Sequence, residues 1–177
     1  MKKLFLLLFI PASIVFTQCG EGSGDESATE DTVNLGNTVE LDLSEHGYPL
    51  TIRVPAPDED TQEATVEVLD WGALKIRVDK YFQIQIADGE GDIANKKQDN
   101  IDMYDNIYTL EYLIDEETAL LYKTEIPGLE PEFHFFVVVK ANGRTFEVED
   151  VKEEIYSEVA ARRMFDFAKA IKVKTQS

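Results

Sequence analysis

Alternating apolar and polar positions predict short β-strands through the first half of the chain. The alternation covers residues 39–43, 50–54, 65–69, 74–78 and 82–86. Turn-forming residues separate these runs, as at Asp70-Trp71-Gly72. Because polar residues such as Gln83 and Gln85 occupy every second position, we expect an antiparallel meander with one face toward solvent.

The second half continues the strand pattern over residues 108–114, 119–126, 133–140 and 144–148. The third of these runs is apolar on both faces, with Phe135 and Val137 on one face and Phe136 and Val138 on the other. A strand of this kind lies inside a sheet that is covered on both sides. Asn142-Gly143 joins the last two runs and predicts a two-residue type I′ hairpin turn.

Two segments have a helical pattern instead. A polar segment over about 93–103 predicts a short mid-chain helix, with Asp92 as its N-cap. A longer helix is predicted over 151–172, because five apolar residues follow one another at helical spacing: Tyr156, Ala160, Met164, Phe167 and Ile171. Acidic residues at its start and lysines at its end suit the helix dipole. We therefore expect an α+β fold in which an antiparallel sheet is packed by a long C-terminal helix.

The first residues have the composition of a signal peptide. Lys2 and Lys3 precede an apolar stretch over 4–16. As a helix, this stretch would span about 20 Å, which is too short for a hydrocarbon core of about 30 Å. We therefore expect residues 1–18 to be removed as a signal.

Residues 16–19, Phe16-Thr17-Gln18-Cys19, hold the chain's one cysteine and end the signal-like segment. They resemble the lipobox of bacterial lipoproteins, with Phe16 in place of the usual leucine and Gln18 in place of a smaller residue. The resemblance implies cleavage before Cys19, a covalent lipid on its thiol, and attachment to the outer membrane on its periplasmic or cell-surface face. The other interpretation is an ordinary signal peptide with a cysteine nearby by chance.

Residues 19–37 contain Gly, Ser, Thr and acids but few apolar side chains, so we expect an acidic, flexible tether between the lipid and a single domain over 38–177. The tether resembles the acidic segments that direct some lipoproteins to the cell surface. The formal net charge of the chain is −18. This charge argues against nucleic acid as a partner, since binding of phosphates needs lysine and arginine. With Cys19 lipidated, no thiol remains for disulfides, catalysis or metal binding.

Candidate chemistry is sparse. His46 lies in a predicted turn and His134 on a predicted strand, where we expect it to bond to a neighbour, and no HExxH or GxSxG motif is present. Asp88, Glu90 and Asp92 alternate as in a calcium loop, but the sixth position is Ile93 rather than glycine and the twelfth is Asp99 rather than glutamate. We therefore expect a turn and helix cap here, and no metal or cofactor beyond the lipid on Cys19.

Aromatic residues on predicted loops are better candidates for a contact surface. Trp71 and Tyr104 both lie on predicted loops, and tryptophan and tyrosine are enriched at binding surfaces. The order of elements over 48–172 also resembles the PsbP/Mog1-like fold, whose members are mostly binding or assembly factors, although fold alone does not determine function.

These patterns favour a non-catalytic binding or assembly module that is anchored to a membrane and contacts a protein of the cell envelope. The alternative is a lipoprotein that binds a small ligand or glycan through Trp71 and nearby tyrosines. A hydrolase that uses a pair of carboxylates is a third possibility, although no pair stands out among the 35 acids.

Overall fold

A computed structural model describes residues 35–59, 62–104 and 107–175. Residues 1–34, which include the expected signal, Cys19 and most of the tether, lie outside the described residues. The described ranges contain ten strands and two helices: β1 (Thr38–Asp42), β2 (Leu50–Pro55), β3 (Thr65–Val68), β4 (Leu74–Asp79), β5 (Phe82–Asp88), α1 (Ile93–Tyr104), β6 (Thr109–Asp115), β7 (Ala119–Glu125), β8 (Glu132–Ala141), β9 (Arg144–Asp150), α2 (Glu158–Lys169) and β10 (Lys172–Val173). The predicted α+β class is confirmed.

Seven strands form one antiparallel sheet in the order β3-β4-β5-β9-β8-β7-β6. The predicted hairpin between β8 and β9 is confirmed, with Ala141 opposite Arg144. Asn142 and Gly143 have φ angles of 51° and 78°. Positive φ at both central positions is the requirement of a type I′ turn, and Asn-Gly is the pair that meets it best.

The meander predicted for the first half is only partly correct, because β1 and β2 belong to a second sheet. This sheet has the order β1-β2-β10. Pro55 ends β2, and the next strand of the chain, β3, joins the large sheet beside β4 instead. On its other side β2 pairs with β10, whose Lys172 and Val173 lie opposite Thr51 and Leu50.

The large sheet buries side chains on both faces. On one face, Phe135 of β8 and Phe82 of β5 pack against Phe165 and Phe167 of α2, with ring centroids 6.5 and 5.1 Å apart. The apolar residues of β2 join this cluster. On the other face, a smaller cluster lies under α1: Leu120, Tyr122, Phe136 and Val138. The prediction that β8 is covered on both sides is therefore confirmed.

The C-terminal helix packs on the sheet as predicted, but it is shorter than 151–172. Ser157 is its N-cap, with a side chain that accepts a hydrogen bond from the amide of Ala160. The residues before it make tertiary hydrogen bonds instead: Val151 N donates to Gln83 O, and Tyr156 O accepts from Phe133 N. Tyr156 is buried outside the helix, and Ala170 ends the helix so that Lys172 can enter β10.

The mid-chain helix agrees with its prediction within one residue. Oδ1 of Asp92 accepts hydrogen bonds from the amides of Ala94 and Asn95 at 2.8 and 3.0 Å, so Asp92 caps α1 as expected. The helix packs on β6 and β7. Within the described ranges, neither helix has the length and apolar character that a membrane span needs.

Candidate functional site

The turn between β3 and β4 carries the chain's one tryptophan. Leu69 N donates to Ala73 O and Gly72 N donates to Leu69 O, both at 2.8 Å. Gly72 has a φ of 94°, a conformation that glycine adopts without strain. These bonds hold Trp71 at the apex with 63% of its surface exposed. Trp71 therefore lies on a turn, as predicted from the sequence.

Tyr48 fastens this turn to the body of the domain. Its hydroxyl donates to the carbonyl oxygen of Gly72 at 2.8 Å, and its ring packs against Phe146 with centroids 5.3 Å apart. The guanidinium of Arg144 lies 5.6 Å from the same ring and donates to Gly47 O. Burial, followed by the charge of Asp88, raises the pKa of Tyr48, while Arg144 opposes the rise. The buried side chain of Tyr48 thus fixes the turn that carries Trp71 to the core.

Strand β3 is an edge of the large sheet. In the part of the chain that the structure describes, it pairs only with β4. Because Leu69 N donates toward Ala73 and bonding direction alternates along an antiparallel strand, Val66 and Val68 direct their backbone groups away from β4. The side chain of Val68 is also 56% exposed. An open row of backbone donors and acceptors therefore leads to the turn with Trp71.

A surface groove of about 330 Å³ lies beside β3. Its lining combines β1, the 3₁₀ turn Ser44–His46 and β3: Glu40, Leu41, Asp42, Glu45, His46 and Val66. Asp42 accepts hydrogen bonds from Lys174 at 2.5 Å and from Ser44, which lower its pKa. Of the three carboxylates that line the groove, Glu40 lies 3.6 Å from both Arg53 and Lys172 and Asp42 pairs with Lys174, so Glu45 is the one without a lysine or arginine partner in the described residues. Trp71, the β3 edge and this groove form one corner of the molecule, which we call the β3 corner.

Tyr104, the other predicted contact residue, lies elsewhere. It is the last residue of α1 rather than a loop residue, so its predicted position was wrong. Its ring packs edge-on against Tyr108, with centroids 5.0 Å apart, and contacts the cluster around Tyr122. Burial raises the pKa of Tyr104 to about 12. The structure does not bring Tyr104 together with Trp71, because α1 covers β6 and β7 at the edge of the sheet opposite β3.

The three acids that alternate as in a calcium loop have separate positions. Both carboxylate oxygens of Asp88 accept from Arg144, at 3.0 and 2.7 Å, and Asp92 caps α1. Glu90 is exposed between them. In residues 35–59, 62–104 and 107–175, no group of three or more His, Cys, Asp or Glu side chains is arranged to hold a metal ion.

His134 forms a buried pair that the sequence only half indicates. Nδ1 of His134 lies 2.8 Å from Oδ2 of Asp150, and the two residues are 4% and 2% exposed. A bond from His134 to a neighbour was expected, but Asp150 was assigned to the start of the C-terminal helix. Asp150 is instead the last residue of β9, so the sequence did not identify it as the partner of His134. Nε2 of His134 is buried without a hydrogen bond in the described residues, 3.8 Å from Glu132. Both side chains of this pair are almost fully buried.

The outer face of α2 holds two carboxylates in one groove of about 430 Å³, Glu158 and Asp166. Arg162 lies one helical turn from each and donates to Glu158 at 3.0 Å. Burial raises the pKa of Asp166, and Arg162 and Lys169 oppose the rise. Other grooves also hold carboxylates, so this pair is not singled out, and a hydrolase that uses two carboxylates stays a prediction.

Comparisons of the chain with protein families, with curated proteins and with solved structures found no match.

Proposed function

We propose that this chain is a membrane-anchored lipoprotein whose folded part binds a protein partner of the cell envelope and catalyses no reaction itself. The observation that supports binding is the exposed indole of Trp71 on a turn held by three hydrogen bonds. A rigid aromatic side chain loses little conformational entropy on binding, so it suits a central contact of an interface. Covering its exposed part would contribute about 3 kcal/mol.

The anchor in this proposal rests on sequence alone. Lys2, Lys3, the apolar stretch and Cys19 resemble a lipoprotein signal, and the acidic residues after Cys19 suit a tether on the periplasmic or cell-surface face of the outer membrane. Two or three acyl chains hold a protein on a bilayer, whereas one chain binds only marginally.

We expect Cys19→Ser to move the protein from the membrane pellet to the soluble fraction without unfolding it, because the thiol is the atom that takes the lipid. Fractionation with an antibody against a C-terminal tag measures the distribution, and circular dichroism checks the fold. A Cys19→Ser protein that stays in the pellet contradicts the anchor.

A protein partner is favoured over a small ligand or glycan by the surroundings of Trp71. Sugar-binding sites that rely on stacking combine several aromatic faces with polar groups in a concave site. Here Tyr48 is buried beneath the turn, and Tyr104 lies near the opposite edge of the sheet. One exposed indole beside an open strand edge suits a protein better than a stacked sugar ring.

We expect Trp71→Ala to lose the partner in a pull-down from gently solubilised membranes with a C-terminally tagged chain. A central aromatic contact contributes 2 kcal/mol or more, so recovery should fall at least about tenfold. Tyr81→Ala is the matched control, because Tyr81 is equally exposed on the turn between β4 and β5. Equal recovery with both variants would argue against the β3 corner as the contact surface.

A further inference from the structure

We propose that the partner contributes an extended segment that adds to the large sheet beside β3, and that this segment carries lysine or arginine side chains. The inference rests on the proposed function, since it specifies how a protein would occupy the β3 corner. Strand addition supplies backbone hydrogen bonds, while pockets beside the edge select the side chains.

The backbone of β3 is suited to a further strand. Val66 and Val68 direct their amide and carbonyl groups away from β4, toward the open edge. Natural edge strands are commonly protected by short length, charged side chains, proline or a bulge; β3, Thr65–Val68, is short and carries Glu67 but has no lysine, proline or register shift. The opposite edge differs, because a register shift interrupts β6 between Tyr112 and Ile114 and α1 packs against it.

The side chains around the edge define the shape of the incoming strand. Val66 and Val68 share the face of Ile76 and Leu74, so one side of an added strand would lie over apolar residues and the groove. Thr65 and Glu67 occupy the other face. Arg77 and Lys75 of β4 lie opposite them, so alternate residues of the partner would meet an apolar surface and then a polar one of mixed charge, in which Glu67 offers a carboxylate. Because β3 has only four residues, Trp71 at its end would supply much of the affinity.

The charges around the edge favour a basic partner. Four carboxylates at the β3 corner form no ion pair with a lysine or arginine in the described part of the chain: Glu45, Glu63, Glu67 and Asp70. The chain as a whole has a formal net charge of −18. Opposite charge speeds the encounter of two proteins and selects between partners. A lysine or arginine beside Glu67 or at the rim of the groove would satisfy these carboxylates.

The probe for this proposal is a short synthetic peptide that alternates lysine with valine, titrated into the full-length protein in mild detergent. The emission of Trp71 reports binding, because it is the chain's one tryptophan and lies at the end of β3. We expect saturable binding of the lysine peptide. A matched peptide with glutamate in place of lysine should bind at least about tenfold more weakly, because its charge is repelled.

Val68→Pro tests the strand geometry, and Val68→Ala is its control. Proline removes the amide that faces the open edge but no hydrogen bond to β4, whereas alanine keeps that amide and removes only the side chain. We expect Val68→Pro to weaken peptide binding about tenfold relative to Val68→Ala. Equal binding by the two variants overturns strand addition.

Amide exchange of the wild-type protein gives a second measurement that needs no variant. Strand addition should slow exchange at Val66 and Val68 when the peptide is bound, and unchanged exchange at both amides overturns the proposal. The pull-down separates this inference from the proposed function. If Trp71→Ala loses the partner while Val68→Pro keeps it, a protein binds the corner without adding a strand. If both variants keep the partner, the chain binds a protein away from the β3 corner, which overturns strand addition and the role of Trp71 but not partner binding itself.

Discussion

At the scale of single residues, Asp150 joins two strands with one side chain. Its Oδ1 accepts from the amide of Phe135 and its Oδ2 lies 2.8 Å from Nδ1 of His134. Both partners lie on β8, just beyond the last register pair between β8 and β9, Phe136 with Glu149. The carboxylate therefore continues the connection between these strands where the backbone ladder stops.

We expect Asp150→Ala to lower the free energy of unfolding by about 2–5 kcal/mol, because two buried groups on β8 lose their acceptor. Urea denaturation at neutral pH, followed by circular dichroism, measures the loss. Asp150→Asn should cost less, since its amide oxygen can still accept from Phe135. A change within about 0.5 kcal/mol for Asp150→Ala would mean that the interior replaces these bonds, contrary to the geometry.

Single residues were predictable where local chemistry decides and unpredictable where distant contacts do. Asn142-Gly143 and the Asp92 cap follow from backbone preferences of two or three neighbours, and both were correct. Gln83 was expected to point to solvent but is 1% exposed, with its Oε1 accepting from Nε of Arg77 at 3.0 Å. Alternation assigns a residue to a face, but it does not show what covers that face.

At the scale of elements, the C-terminal helix shows how tertiary bonds override a continuous local pattern. The sequence from Val151 to Lys172 is compatible with a helix throughout, and the acids at 149–154 suit a helix start. The backbone before Ser157 instead bonds to Gln83 and Phe133, on β5 and β8. Local propensity is a weak preference, so a few tertiary hydrogen bonds and a Ser157 cap move the start.

Strand β10 could not be predicted because it has two residues and no pattern of its own. The sequence also did not indicate that β3 is an edge strand. The apolar alternation of β3 resembles that of β4, yet β4 has partners on both sides and β3 on one in the described residues. The order of strands depends on long-range pairing, which alternation within a strand does not encode. The proposed binding edge therefore became visible only in the structure.

At the scale of the whole molecule, the two faces of the large sheet carry separate apolar clusters. The sequence predicted correctly that a C-terminal helix packs on the sheet and that β8 is covered twice, although Tyr156 and Ile171 of the predicted stripe lie outside α2. It did not identify α1 as the second cover, because α1 is mostly polar and contributes mainly Ile93 and Tyr104 to the smaller cluster. That cluster includes tyrosines, whose ionisation at high pH should lower the stability of the fold.

We expect stability to fall as pH rises above about 10. Burial raises the pKa of Tyr104 to about 12, and it also raises the pKa values of Tyr122 and Tyr156. Unfolded tyrosines lose their protons near pH 10, while the folded ones keep theirs to higher pH. The contribution is thus complete below pH 10 and is lost as pH rises through the folded pKa.

Urea midpoints measured between pH 8 and pH 11 test this expectation, with Tyr104→Phe as the comparison. Phenylalanine cannot ionise, so the variant should lose stability less steeply above about pH 10. Lysine deprotonation affects both proteins alike and cancels in the comparison. Identical pH dependence of the two proteins would mean that Tyr104 ionises as readily in the fold as in the unfolded chain.

The pairing of β10 with β2 has a consequence for the time course of synthesis. Ribosomes deliver the chain from its N-terminus, so the hairpin of β1 and β2 emerges well before Lys172 and Val173, which complete its sheet. The ion pair between Asp42 and Lys174 likewise forms only after Lys174 has emerged. Until β10 emerges, the edge of β2 that β10 will cover stays open, and chaperones can reach it.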